Sequence, residues 1–213
     1  IEVPVVNAAY EEKDFLIRDV RLRVKLWNEE SPIKVIALHG WLDNAGSFDV
    51  LAPLMKNCAV AAIDQAGVGF SDFRPKSATY HLWDDVLDIL AIADGLGWQN
   101  FILLGHSRGA MLSVLLAAAE PTRVKQLMLI DGLLPMPVDA NHAAKQLANY
   151  VHDYRRPKRD RKKRYKNREE AIALRIKAAN LPVRIASILA QRNLKEENGE
   201  YFWHVDDRLK AAS

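Results

Sequence analysis

Apolar and charged positions alternate along residues 20–27, with Val20, Leu22, Val24 and Leu26 set against Arg21, Arg23 and Lys25. Successive strand side chains point to opposite faces, so this two-residue period predicts a half-buried strand. Residues 35–38, 59–63, 101–104 and 127–130 are short, continuously apolar runs. Runs of that length read as strands covered on both faces. Helical spacing lies between them. It predicts a short helix over residues 47–55, a longer one over 82–96 with Val86, Leu87, Leu90 and Ala93 on one side, and a third over 110–119. Strands alternating with helices predict an α/β fold, a mainly parallel sheet with helices on both faces.

Beyond Pro135 the pattern changes. Residues 142–152, 169–179 and 183–192 are Ala- and Leu-rich helical stretches, and no convincing buried strand appears among them. The expected organisation is therefore a core over residues 1–134 and, over residues 135–213, a helical cap that begins the return to the core.

The 213 residues suit one domain with an insertion, and 49% hydrophobic with 27% charged residues is an ordinary globular balance. No run of about eighteen apolar residues is present, so no membrane span is expected. Residues 1–10 lack the basic-then-apolar pattern of a signal peptide, and the expected compartment is the cytoplasm. Cys58 is the single cysteine, which excludes an internal disulfide and argues against a cysteine zinc site. No metal or cofactor is expected.

Three segments carry candidate chemistry. Gly105-His106-Ser107-Arg108-Gly109 is a G-x-S-x-G motif between an apolar strand and a helix-forming run. A sharp strand-to-helix turn would hold Ser107 strained and exposed, with glycines where larger side chains would collide. The helix start would aim its amides at developing negative charge. His39-Gly40-Trp41 follows the strand at 35–38. Acyl transfer needs two preorganised N–H donors for an oxyanion, and the candidates are the amides of Trp41 and Arg108. His39 itself reads as a structural residue at a strand end, with a catalytic base as the alternative. The third segment, Asp64 to Ser71, contains Gly67-Val68-Gly69 without a full nucleotide-binding pattern, and reads as a tight turn shaping a pocket wall.

In this order and spacing the three segments resemble the α/β-hydrolase superfamily. Leu38-His39-Gly40-Trp41-Leu42-Asp43-Asn44-Ala45 with Ser47-Phe48-Asp49, Leu127-Met128-Leu129-Ile130-Asp131 and Asp207-Arg208-Leu209 resemble its serine-hydrolase-like branch. The resemblance implies an eight-stranded sheet, a Ser–His–acid triad and hydrolysis of a small, hydrophobic ester-like substrate through an acyl-enzyme on Ser107. Trp41, Leu42, Phe70 and residues 133–137 are the expected pocket lining. Serine rather than aspartate at 107 argues against epoxide or haloalkane chemistry.

The superfamily places its acid after strand seven and its histidine after strand eight, whereas this sequence stops at Ser213. His142, His152 and His204 do not follow strands in that context. Asp131, at the end of the sixth strand, is a candidate acid or else a turn residue before Gly132. The expectation is a chain truncated before strands seven and eight, with a second polypeptide, a C-terminal fragment of the same protein, completing the sheet and supplying the histidine.

Residues 155–168 hold ten Lys or Arg in fourteen positions. A solvated loop is the expected reading, with nucleic-acid binding as the alternative, since aromatic platforms are few. Three functions follow: a serine hydrolase, a catalytically inactive hydrolase-fold binding protein, and a nucleic-acid-associated protein, in that order.

Overall fold

The computed structural model describes residues 9–134, 139–155 and 163–210. Its strands are β1 (Glu11–Ile17), β2 (Val20–Trp27), β3 (Ile33–Leu38), β4 (Cys58–Ile63), β5 (Phe101–His106) and β6 (Val124–Ile130). They form one sheet in the order β1-β2-β4-β3-β5-β6. β1–β2 and β2–β4 pair antiparallel; the remaining neighbours pair parallel.

β1 goes unannounced by the apolar pattern because four of its seven residues are charged. It is an edge strand, where charge discourages unwanted pairing. Glu12 and Asp14 bind Arg23 of the neighbouring strand at 2.8 and 2.5 Å. β2 is more deeply set than the expected half-buried strand, because it lies between β1 and β4. Lys25 is only 4% exposed. Its ammonium pairs with Asp49 at 2.7 Å and sits 3.8 Å from the Tyr10 ring centroid.

On one face of the sheet, Leu22, Ile36, Leu38 and Leu103 pack against α1 (Leu82–Gly95) and α2 (Arg108–Ala119). On the other, Trp27, Val35, Val60 and Leu104 pack against Ala45, Phe48 and Ala52. The helix expected over 47–55 is instead two 3-10 turns, Ala45–Phe48 and Ala52–Leu54. Pro53 accounts for the break, since inside an α-helix its ring would clash with the carbonyl four residues earlier. β6 is the second edge among the described residues, and Leu127 and Ile130 on it are 38% and 44% exposed.

The C-terminal segment holds α3 (Ala143–Arg155), α4 (Arg168–Ala179) and α5 (Val183–Asn193). It is not purely helical. A hairpin of β7 (Leu194–Glu197) and β8 (Glu200–Trp203) adds strands to a segment expected to be helical and without a buried strand. Asn198 and Gly199 turn it with φ of 54° and 76°. An Asn-Gly pair suits a turn with positive φ at both central residues, so the sequence does carry this signal. Residues 156–162 of the basic run lie outside the described residues; Arg164 beyond them pairs with Glu197. Among the described residues no helix is long and apolar enough to cross a membrane.

α5 is bolted to the core by polar groups. Arg192, 4% exposed, meets the fully buried Asp64 at 2.7 Å and Glu12 at 2.6 Å. Burial alone would raise the Glu12 carboxyl, but Arg192 and Arg23 hold it below its ordinary value. Removing one member of a buried pair strands the other charge, which costs about 3–5 kcal/mol. Arg192→Ala is therefore expected to lower unfolding free energy in urea by about that amount. A loss below about 1 kcal/mol would show that water reaches Asp64 and that α5 does not depend on this pair.

Candidate functional site

The carboxyl ends of β3, β5 and β6 lie side by side, since Leu38 is in register with Gly105 and His106 with Ile130. Ligand sites in parallel sheets form at such ends. Here each strand is followed by a non-glycine residue in the left-handed region: Leu42 at φ 61°, Ser107 at 51° and Asp131 at 52°. Such conformations cost on the order of 1–3 kcal/mol each and persist only where packing enforces them.

The packing around Ser107 does enforce it. Ser107 leaves β5 with φ 51° and ψ −114°, and α2 begins at the next residue. Its N–H donates to Ile130 O at 2.8 Å, tying the turn to β6. A Cβ on Gly105 would lie 2.4 Å from Gly109 O, and one on Gly109 would lie 2.0 Å from Leu38 O. Gly132, not singled out by the motif, closes the turn from behind, where a Cβ would come within 2.7 Å of Ser107 O. The elbow is thus wedged between β3 and β6.

The loop after β3 approaches the same end. His39 is 2% exposed. Its Nε2 accepts from Gln65 N–H at 3.1 Å, so the proton resides on Nδ1, which donates to Gly40 O at 2.8 Å. Both ring nitrogens are occupied by backbone, which is the geometry of a structural residue. Burial pushes the His39 imidazole well below its ordinary value of 6.5, outweighing the nearby carboxylates Asp64 and Asp43. Trp41 is half exposed, and its indole N–H donates to Leu209 O at 3.2 Å. A Cβ on Gly40 would lie 2.9 Å from His106 Nδ1, so the loop rests directly on the elbow.

Asp131 is exposed, one residue beyond the carbonyl that binds Ser107 N–H, and its carboxylate has no partner among the described residues. No hydrogen bond links Ser107 Oγ to a histidine among those residues. His142 and His152 sit on the C-terminal segment, and His204 stacks on Phe73 with ring centroids 4.5 Å apart. No cluster of three metal-ligating side chains occurs among the described residues.

A cavity of about 310 Å³ opens beside the loop, lined by Leu42 and Asp43 and, from the C-terminal segment, by Tyr165, Arg175, Leu189 and Trp203. Ser107 is not part of its wall, to which the loop after β3 contributes Leu42 and Asp43. Phe70, expected as lining, instead carries the Arg192 guanidinium 4.3 Å above its ring. Leu133 and Leu134 are exposed at the surface, and residues 135–137 lie outside the described residues.

Reasoning from sequence missed the polar framework behind the elbow. Arg108 turns its side chain inward to Gln65 Oε1 and to Asp85 of α1. Nothing in the local pattern marks Asp85, which occupies a first-turn position where acidic residues are common.

A family model described as alpha/beta hydrolase fold matches residues 34–168. The chain belongs to the α/β-hydrolase fold family. The chain is similar to serine hydrolase-like proteins. A serine hydrolase-like protein of Danio rerio is 31% identical over 194 residues, covering 88% of this chain and 59% of that protein. One of Dictyostelium discoideum is 33% identical over 166 residues, covering 76% and 45%. The chain therefore spans about half the length of these relatives. Among solved structures, a hypothetical protein from Pseudomonas aeruginosa PAO1 is 41% identical with a TM-score of 0.91, covering 95% of this chain and 72% of that one. The thioesterase domain from the curacin biosynthetic pathway is 25% identical with a TM-score of 0.83 over the same shares.

The buried imidazole has a consequence for stability. With its native pKa depressed, His39 binds fewer protons folded than unfolded below pH 6.5. Its contribution is complete above that value and is lost as pH falls. The unfolding free energy from urea titration is expected to drop between about pH 6.5 and 5, by up to about 1.4 kcal/mol per pH unit. His39→Gln should flatten that slope, and equal slopes in the two proteins would mean that His39 takes up its proton alike in the folded and unfolded states.

Proposed function

We propose that the protein is a serine hydrolase that cleaves a small, hydrophobic ester-like substrate through an acyl-enzyme on Ser107. The observation that carries this reading is the strained Ser107 backbone, wedged at a strand-to-helix elbow by glycines that have no room for a Cβ. Strain of that kind exposes a nucleophile and aims helix amides at the charge that develops on the substrate carbonyl. The oxyanion is stabilised by the amides of Trp41 and Arg108, one from each element that meets at the site. Residues 1–134 act as the catalytic core and residues 135–213 as a cap. The 310 Å³ cavity, within the size range of small-molecule sites, receives the apolar part of the substrate against Leu42, Leu189 and Trp203.

The general base is a histidine supplied by polypeptide that follows these 213 residues, and the acid comes either from that polypeptide or from Asp131. The length of the relatives supports this arrangement, as does the apolar edge along Leu127, Ile130 and Leu133. In the folded enzyme further strands pair with β6 and cover that edge.

Two measurements bear on these readings. A fluorophosphonate probe should add once to the full-length protein, at Ser107, and Ser107→Ala should abolish both the adduct and turnover of p-nitrophenyl butyrate, a loss on the order of 10⁶ in kcat for a serine hydrolase. Labelling that persists in the alanine variant would rule out Ser107 as the nucleophile. Separately, the 213-residue chain alone is expected to self-associate on size exclusion and to become monodisperse when co-expressed with the C-terminal part of its own protein. A monomeric chain with a single cooperative unfolding transition would refute the completed-sheet reading.

A further inference from the structure

An oxyanion hole built from two elements has a mechanical difficulty. The Arg108 amide belongs to the first turn of α2, while the Trp41 amide belongs to the loop after β3. Neither element by itself sets the distance between the two donors. Catalytic donors must nevertheless be held to within about half an ångström, since displacement by about 1 Å can cost a hundredfold in rate.

A continuous chain of hydrogen bonds runs between the two. The Arg108 side chain, 17% exposed, donates through Nη2 to Asp85 Oδ2 and through Nη1 to Gln65 Oε1. Arginine offers donors alone, so the Gln65 carboxamide must present its oxygen to Arg108. Its nitrogen then faces the other way and donates to His39 O at 3.2 Å. The backbone N–H of Gln65 donates to His39 Nε2 at 3.1 Å, and His39 Nδ1 donates to Gly40 O at 2.8 Å, one residue before Trp41. Asp85, Gln65 and His39 are 4%, 7% and 2% exposed, so water does not compete for these bonds. Asp85 is itself pinned by Arg74 at 3.1 Å, and Arg74 also holds Asp88 at 2.6 Å.

We infer that Gln65 and Asp85 are positioning residues which, through the Arg108 side chain and His39, lock the two oxyanion-binding amides at a fixed separation. This rests on the reading of Ser107 as nucleophile. It also accounts for an arginine next to a nucleophile. The guanidinium fork satisfies an amide and a carboxylate on two different elements at once, and lysine's single ammonium cannot reproduce that geometry. A buried ion pair retained only for stability would be a weak device, because apolar replacements of similar volume are often as stable.

The test compares full-length protein carrying Gln65→Ala, Gln65→Glu, Arg108→Lys or Ser107→Ala, assayed with p-nitrophenyl butyrate and inhibited by an alkyl trifluoromethyl ketone. The ketone's serine adduct places an oxyanion in the hole, so its inhibition constant reports on the two amides. Gln65→Ala and Arg108→Lys are each expected to lower kcat about 10- to 100-fold with KM within about twofold, and to raise the ketone's inhibition constant in parallel. Gln65→Glu keeps the acceptor for Arg108 but loses the donor to His39 O, so it should recover only the part of the loss that runs through Arg108. The Gln65→Ala, Arg108→Lys double variant should be little worse than the weaker single, since both break one chain. Variants that lower the melting temperature yet keep kcat and the inhibition constant within twofold would overturn the inference and leave the chain purely structural. Turnover that survives in Ser107→Ala would instead overturn the reading of the nucleophile, whatever Gln65 does.

Discussion

A single carboxylate with no access to water organises the upper end of this sheet. Asp64 follows β4 and accepts hydrogen bonds from Ala45 N at 2.7 Å and Phe70 N at 2.9 Å. Arg192 completes its shell from α5, with Nη2 at 2.7 Å. These contacts come from the loop after β3, the turn after β4 and the C-terminal segment, three separate parts of the chain. A buried charge is tolerated only when it is paired and fully hydrogen-bonded, so these three parts can fold only into mutual register. Gly69 shows how tight the arrangement is, for a Cβ there would lie 2.3 Å from the Asp64 carboxyl carbon.

The elbow depends on that framework. Its left-handed serine opposes the intrinsic preference of the backbone, and the opposition is met by steric wedging from Leu38, Gly109 and Gly132. Leu42 and Asp131 hold comparable conformations on the flanking loops. Strain gathered at three adjacent strand ends, over a sheet whose interior positions are fully buried, separates a rigid base from a reactive rim. Polar links behind the rim, from Asp85 through Arg108 and Gln65 to His39, carry the rigidity of α1 into both loops.

Much of the core was legible in the chain because the relevant physics is local. Period-two alternation and short apolar runs mark five of the six sheet strands, and the glycines of the G-x-S-x-G motif mark the elbow. β1 was not legible, since a charged edge strand has no apolar signature and is defined by its ladder to β2. The β7–β8 hairpin had a readable turn in Asn198-Gly199, but its flanks, with Lys195, Glu196 and Glu197 in succession, lack strand alternation. Lys25 reads as a solvent-facing position and is in fact buried, because tertiary placement between two strands gave it Asp49 and two aromatic rings as neighbours.

The candidate site divides in the same way. Ser107, Gly105, Gly109 and the His39-Gly40-Trp41 loop are visible in sequence because turn chemistry restricts which residues can stand there. Gln65, Asp85 and Arg192 are ordinary polar residues in ordinary helical or turn positions, and only their partners give them meaning. Sequence by itself therefore determined the strand ends, the turn and the identity of the elbow serine, since backbone sterics act between near neighbours. Tertiary structure alone decided which buried charges meet and how two distant amides are aligned, because those interactions exist only once remote segments share a low-dielectric interior.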